Sequence, residues 1–244
     1  MDFMSIRDIS PDQVIFWQWH FVVLNATIVF TWLVMALMVI GAWLITRRLS
    51  ADTRISRWQN LLEVIVDTMR KQIRDIAQRE NRAYLVFAGT LFLFILIANL
   101  LQIVPGYVAP TASLSTTTAL AICVFVSVPL FGILSRGLVG YLKQYVRPSV
   151  LMLPFNVLGE LSRTLALAVR LFGNIMSGTK VAAILLSLAP LFFPIVMHAL
   201  GLLTGVIQAY IFAVLAMVYI ASASRAREEL EQKHQEDTTH ESKR

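Results

Sequence analysis

The stretch LALAVRLFGNIMSGTK, residues 165–180, places an arginine among apolar residues. A guanidinium stays protonated, offers five donors and accepts nothing. Held at mid-bilayer it costs about 2.5–3.5 kcal/mol on insertion scales, so such a charge marks an ion path or a counter-ion site. Helical spacing puts Arg163, Arg170 and Ser177 on one face, with Asn174 one turn beyond Arg170. Glu160 and Arg163 are three apart, which predicts an ion pair near one membrane surface. Arg170 has no carboxylate three or four residues away on either side. Its counter-charge must therefore come from elsewhere in the chain, from another subunit, or from water.

A second group lies in the following apolar block. Thr204, Gln208 and Tyr219 form a sparse polar stripe, with His198 earlier in the same block. A buried amide needs partners, which places Gln208 near Arg170. The run GLLTG, residues 201–205, with Ala209, Ala213 and Ala216, supplies a small-residue side for close helix packing.

These groups need a membrane to give them meaning, and the composition supplies one. Of 244 residues 57% are hydrophobic, only 15% are charged, and the mean hydropathy is +0.68. The apolar residues come in blocks of about 20, the length that crosses a hydrocarbon core. The chain reads as an all-α polytopic membrane protein with about five membrane elements. The net charge of +6 does not signal nucleic acid, because the basic residues gather at the ends of apolar blocks. One cysteine, Cys123, excludes an intrachain disulfide. Asp2, Asp8 and Asp12 against Arg7 give the N-terminus the wrong charge for a signal peptide.

Four regions follow. Residues 1–16 form an outer N-terminal segment. Residues 17–153 hold peripheral spans, at about 17–45, 84–104 and 117–134, and a cytoplasmic helix. That helix, WQNLLEVIVDTMRKQIRDIA, is basic and amphipathic, suited to the membrane surface or to a partner helix. Residues 154–223 form the last two helices, turning near Pro190 and Pro194. Residues 224–244 are a charged tail, read as a frayed helix or a disordered end. As one helix, 154–189 extends roughly 54 Å against a core of about 30 Å, so it is broken, strongly tilted or partly outside the hydrocarbon. Positively charged loops put 46–83, 136–147 and the tail inside and the N-terminus outside. Interfacial roles are expected for Trp17, Trp19, Trp43 and His20, and a snorkelling role for Lys180.

The segments LALAVRLFGNIMSG, 165–178, and IQAYIFAVLAMVYIASAS, 207–224, with PFNVLGELSR upstream, resemble subunit a of the rotary F-type ATP synthase. In helix order and charge the likeness runs more loosely over most of the chain. That resemblance implies a stator in a bacterial inner membrane whose last two helices form a long tilted hairpin against a ring of c subunits. It implies peripheral-stalk b subunits and a soluble ATPase head as further partners, surrounding lipid, and no nucleic acid. It implies two half-channels through which a translocated cation reaches the ring's carboxylates. The family's essential arginine matches Arg170, and its polar neighbours match Asn174 and Gln208. Glu160, Arg163, Ser177, Thr179, His198, Thr204 and Tyr219 are the candidate lining of the half-channels. The chain itself is expected to hold no catalytic site and no cofactor, and it lacks the phosphate-binding G-x-x-x-x-G-K-[ST] pattern.

Two positions depart from the family pattern. Thr179 stands where many bacterial members have a carboxylate, and Gly201 where some carry a paired histidine or carboxylate. Either water, His198 and hydroxyls relay protons, or the coupling ion is sodium; the departures tilt the reading towards sodium. A free-standing secondary transporter and a purely structural anchor are the readings from other classes.

Overall fold

The computed structural model describes residues 15–19, 22–47, 57–77, 82–104, 106–146, 151–188 and 193–241, with the backbone path alone beyond 223. Two short strands, β1 (Ile15–Trp19) and β2 (Val22–Asn25), pair antiparallel, with Trp17 opposite Leu24 and Trp19 opposite Val22. Six α-helices follow: α1 (Ala26–Thr46), α2 (Arg57–Ala77), α3 (Arg82–Leu100), α4 (Leu114–Val146), α5 (Met152–Leu188) and α6 (Phe193–Glu241).

The hairpin corrects the expected first span at 17–45. Residues 15–25 are rich in aromatic and β-branched types, which favour strands. An unbroken apolar run cannot by itself separate strand from helix. The remaining 21 residues of α1 still extend about 31 Å, enough to cross. His20, residues 1–14 and Pro190 lie outside the described residues, as do the side chains of Trp17, Trp19 and the tail.

Among the described residues, four stretches are long and apolar enough to span a membrane: Ala26–Leu44, Arg82–Ile103, Leu114–Ser135 and Ile195–Ala223. Helix α5 carries Glu160, Arg163, Arg170, Asn174 and Lys180 and is not one of these four. It is nevertheless unbroken over 37 residues, which removes one of the three ways its length was to be accommodated. Helix α6 also runs on as helix through the charged tail to Glu241. Its second residue is Pro194, acceptable there because the first turn's N–H groups have no intrahelical acceptor.

Helix α6 is central. Its small-residue side, Ala209, Ala213 and Ala216, is buried, and Phe212 is fully enclosed. Around these pack Leu91, Phe94, Ile95 and Ala98 from α3, Ala121 and Val124 from α4, and Leu167, Ala168 and Leu171 from α5. Lipid is as apolar as leucine, so this association rests on close packing rather than on water exclusion. A second cluster joins Ile73 of α2, Tyr84 and Ala88 of α3, Val128 and Tyr141 of α4, and Met217 and Ile220 of α6. Helix α1 is peripheral, burying Val34 and leaving Trp32, Val39 and Ile40 exposed.

The amphipathic α2 meets helices of its own chain. Ile73 is buried, Met69 lies over Gly89, and Gln72 accepts a 2.7 Å hydrogen bond from the Tyr210 hydroxyl. Its exposed side carries the Asp67–Lys71 pair at 2.9 Å, and the ammonium holds that carboxyl below its ordinary range.

Helix α4 ends its straight course at Gly137, where φ is +75°. Only glycine adopts that conformation at no cost. The chain then brings Tyr141 back against Gly132, where an added Cβ would lie 2.6 Å from the ring. Gly132→Ala should therefore destabilise the fold by about 1–3 kcal/mol, as overpacking does. A lowered thermal midpoint that recovers in Gly132→Ala/Tyr141→Leu would bear this out, and an unchanged single variant would refute it.

Candidate functional site

Consecutive spans alternate direction, so each end of the bundle collects its own residues. One end holds the close of α3, the loop to α4, the close of α5 and the start of α6. The other holds the start of α3, the close of α4, the start of α5 and the middle of α6. A cavity opens at each end.

The first cavity, of about 300 Å³, is lined by Gln102, Tyr107, Asn174, Thr179, His198 and Thr204, with Gly178, Gly201 and alanines between them. Its hydroxyls are tied to their own helices. Thr179 donates to the Ile175 carbonyl at 2.9 Å, and Thr204 to those of Leu200 and Gly201 at 2.9 and 3.1 Å. Both therefore keep lone pairs free to accept. The Asn174 amide reaches the Thr204 carbonyl at 3.5 Å, a long contact that bridges α5 to α6. The Tyr107 hydroxyl is buried with no hydrogen-bond partner, and burial pushes its phenol up.

The second cavity, of about 440 Å³, is lined by Asn156, Glu160, Arg163, Thr164, Tyr141, Tyr219 and Ser222 among apolar neighbours. The expected Glu160–Arg163 ion pair does not form. The Arg163 guanidinium lies over the Tyr219 ring at 5.8 Å instead, a favourable placement of cation on π-face.

Arg170 sits between the two. The last α5 residue lining the second cavity is Thr164, and the first lining the other is Asn174. The step between them is about 15 Å along the helix. Leu167, Ala168 and Leu171 turn inward, while Arg170 is exposed. Among the described residues Arg170 makes no hydrogen bond or ion pair. On α6 the corresponding level holds Gln208, which is buried with its amide nitrogen unpartnered. Gln208 was expected near Arg170; the two share a level between the cavities, and among the described residues no hydrogen bond joins them.

Of the remaining sequence candidates, Ser177 is exposed and donates to the Asn174 carbonyl at 3.1 Å, and Lys180 is exposed. Sequence reasoning missed Asn99, Gln102, Tyr107 and Thr111, which reach this region from α3 and the loop after it. The signal available was Asn99 itself, an amide in an otherwise apolar span. Of the four histidine, cysteine and carboxylate types, no group of three gathers to hold a metal among the described residues.

Two substitutions isolate the Arg163 contact. Tyr219→Leu should cost about 0.5–1 kcal/mol and Tyr219→Phe less, since phenylalanine keeps the ring face. Equal thermal midpoints for the two variants would contradict a cation–π role.

Comparison with known proteins gives a consistent result. The family model described as ATP synthase A chain matches residues 28–221. "ATP synthase subunit a 2" of Acaryochloris marina is 63% identical over 217 residues, covering 89% of this chain and 93% of that protein. The like-named protein of Picosynechococcus sp. is 61% identical over 220 residues, 90% and 94% of the two chains. "ATP synthase subunit a" of Albidiferax ferrireducens is 61% identical over 219 residues, 90% and 95%.

Proposed function

This chain belongs to the ATP synthase A chain family, and from that membership we propose that it is the ion-translocating stator of a rotary F-type ATP synthase. The observation that carries the mechanism is the placement of Arg170: exposed on α5, unpaired among the described residues, and set between two separate cavities.

The charge pattern assigns sides. Arg47 and Arg82 lie at the end that holds the second cavity, and basic residues mark the cytoplasmic side. The second cavity is the inner half-channel, and the first is the outer. The N-terminus is then outside and the C-terminus cytoplasmic, in a bacterial inner membrane. The long α5 and its partner α6 form the tilted hairpin that faces the c-subunit ring, with Leu165, Val169 and Arg170 exposed on α5. Peripheral-stalk b subunits hold the stator against the ATPase head.

The physics of the cycle follows from one fixed cation. A rotor carboxylate that has released its ion is an anion, and it is attracted to Arg170. A carboxylate that carries its ion is neutral and is not. The guanidinium also repels a cation moving directly from one cavity to the other. One charge crossing 100 mV is worth about 2.3 kcal/mol, and a direct leak would dissipate it without rotation. The chain contributes position and charge, and the ATP chemistry belongs to the head.

For the ion, the described lining of the outer cavity holds amides, hydroxyls and one imidazole but no carboxylate. Neutral oxygens suit a hard cation such as sodium. The placement of His198 in the same cavity is what speaks for a proton.

Two experiments decide. Arg170→Ala should abolish ATP-driven ion transport in vesicles while the head still hydrolyses ATP; normal coupled transport would overturn the stator reading, and tolerance of the change would fit a mere anchor. With a protonophore present, transport that stops on removal of sodium supports the sodium reading, and unchanged transport defeats it in favour of protons.

A further inference from the structure

Asn99 is completely buried in α3. Its amide nitrogen donates to the Gly205 carbonyl of α6 at 3.0 Å, and its amide oxygen accepts from the Thr111 hydroxyl at 2.8 Å. A carbonyl can only accept, so these partners fix which way the amide points. Thr111 is fully buried in the short 3-10 turn Pro110–Ala112. One side chain thus joins three elements: α3, α6 and the turn before α4.

Both joined points border the outer cavity. Ala109 and Ala112, which flank Thr111, line it, as does Thr204 beside Gly205. The Thr204 carbonyl in turn receives the Asn174 amide at 3.5 Å, one turn from Arg170. Gly205 makes the approach possible, because a Cβ there would lie 2.9 Å from the Asn99 Cβ. A buried amide also costs desolvation that an apolar side chain of similar size would not. Packing between α3 and α6 is supplied independently by Leu91, Ile95, Ala98, Ala209 and Phe212.

We propose that Asn99 is a positioning residue for ion access. By pinning α6 and the Pro110–Ala112 turn to α3, it fixes the separation of the walls through which the cation approaches Asn174 and Arg170. The inference rests on the reading of the first cavity as the outer access path. Its loss alters entry to the cavity rather than the charge that gates the ring.

The test uses the whole membrane complex in vesicles. Cys123 is replaced by serine, and Thr179→Cys places a reporter thiol in the cavity for a membrane-impermeant maleimide applied from the outer side. Transport is followed against cation concentration, and assembly is checked by the amount of the chain in the membrane. Thr111→Val removes one bond while keeping the shape, Asn99→Leu removes both, and Gly205→Ala pushes the amide away. At normal assembly each should change the labelling rate at residue 179. Each should also raise the half-saturating cation concentration by about fivefold per lost bond, at an unchanged maximal rate. Wild-type labelling and half-saturation in Thr111→Val would overturn the proposal, as would lost assembly in Asn99→Leu beside a wild-type Thr111→Val, which leaves a purely structural role. A reporter that goes unlabelled even before the clamp is altered would instead overturn the access-path reading, and the clamp's role with it.

Discussion

A permanent positive charge on a membrane helix, without a counter-ion among the described residues, constrains everything around it. A guanidinium keeps its charge, so the cost of burying one in a membrane is not relieved by neutralisation. The chain answers by leaving that side of α5 uncovered. A helix that turned Arg170 inward would need a buried carboxylate to meet it, and a fixed internal pair could not respond to a moving partner. The cavities above and below extend water-sized space towards the charge from both ends and stop short of it. About 15 Å of helix separates the two spaces.

Holding that geometry is a packing problem solved mainly by α6. Its alanine side allows α3, α4 and α5 to approach closely, and Phe212 fills the centre. Among the described residues, side-chain hydrogen bonds join Asn99 to Gly205 and Thr111 and Asn174 to Thr204 near the first cavity, and Tyr210 to Gln72 ties α6 to α2. The half that holds the second cavity is held differently, by α2 lying along α3 and α6 and by the return of the chain at Gly137. A rigid apolar centre with specific polar ties at one end suits a stator, whose walls must stay still while its partner turns.

The comparison of sequence with structure is informative at particular residues. Arg170 was legible because a charge in an apolar block is costly wherever it occurs, and Asn174 because helical periodicity places it one turn on. The span of α6 and its small-residue side were legible for the same reason. Glu160 and Arg163 misled, because proximity at three residues permits a pair but does not require one, and the Tyr219 ring offered the guanidinium another partner. Residues 15–25 misled because hydrophobicity alone does not distinguish a strand from a helix. Of the two glycines in GLLTG, only Gly205 admits a close neighbour, while Gly201 borders open space.

The order of amino acids by itself determined the solvent this chain folds in, the course of its apolar blocks and the presence of a charge within one of them. These follow from transfer energies and local periodicity, which are properties of short segments. Only the tertiary structure decided that two cavities flank Arg170, that α2 packs on its own chain, and that Asn99 reaches Gly205 and Thr111 at once. Those relations join residues far apart along the chain, and no local periodicity specifies which distant faces will meet.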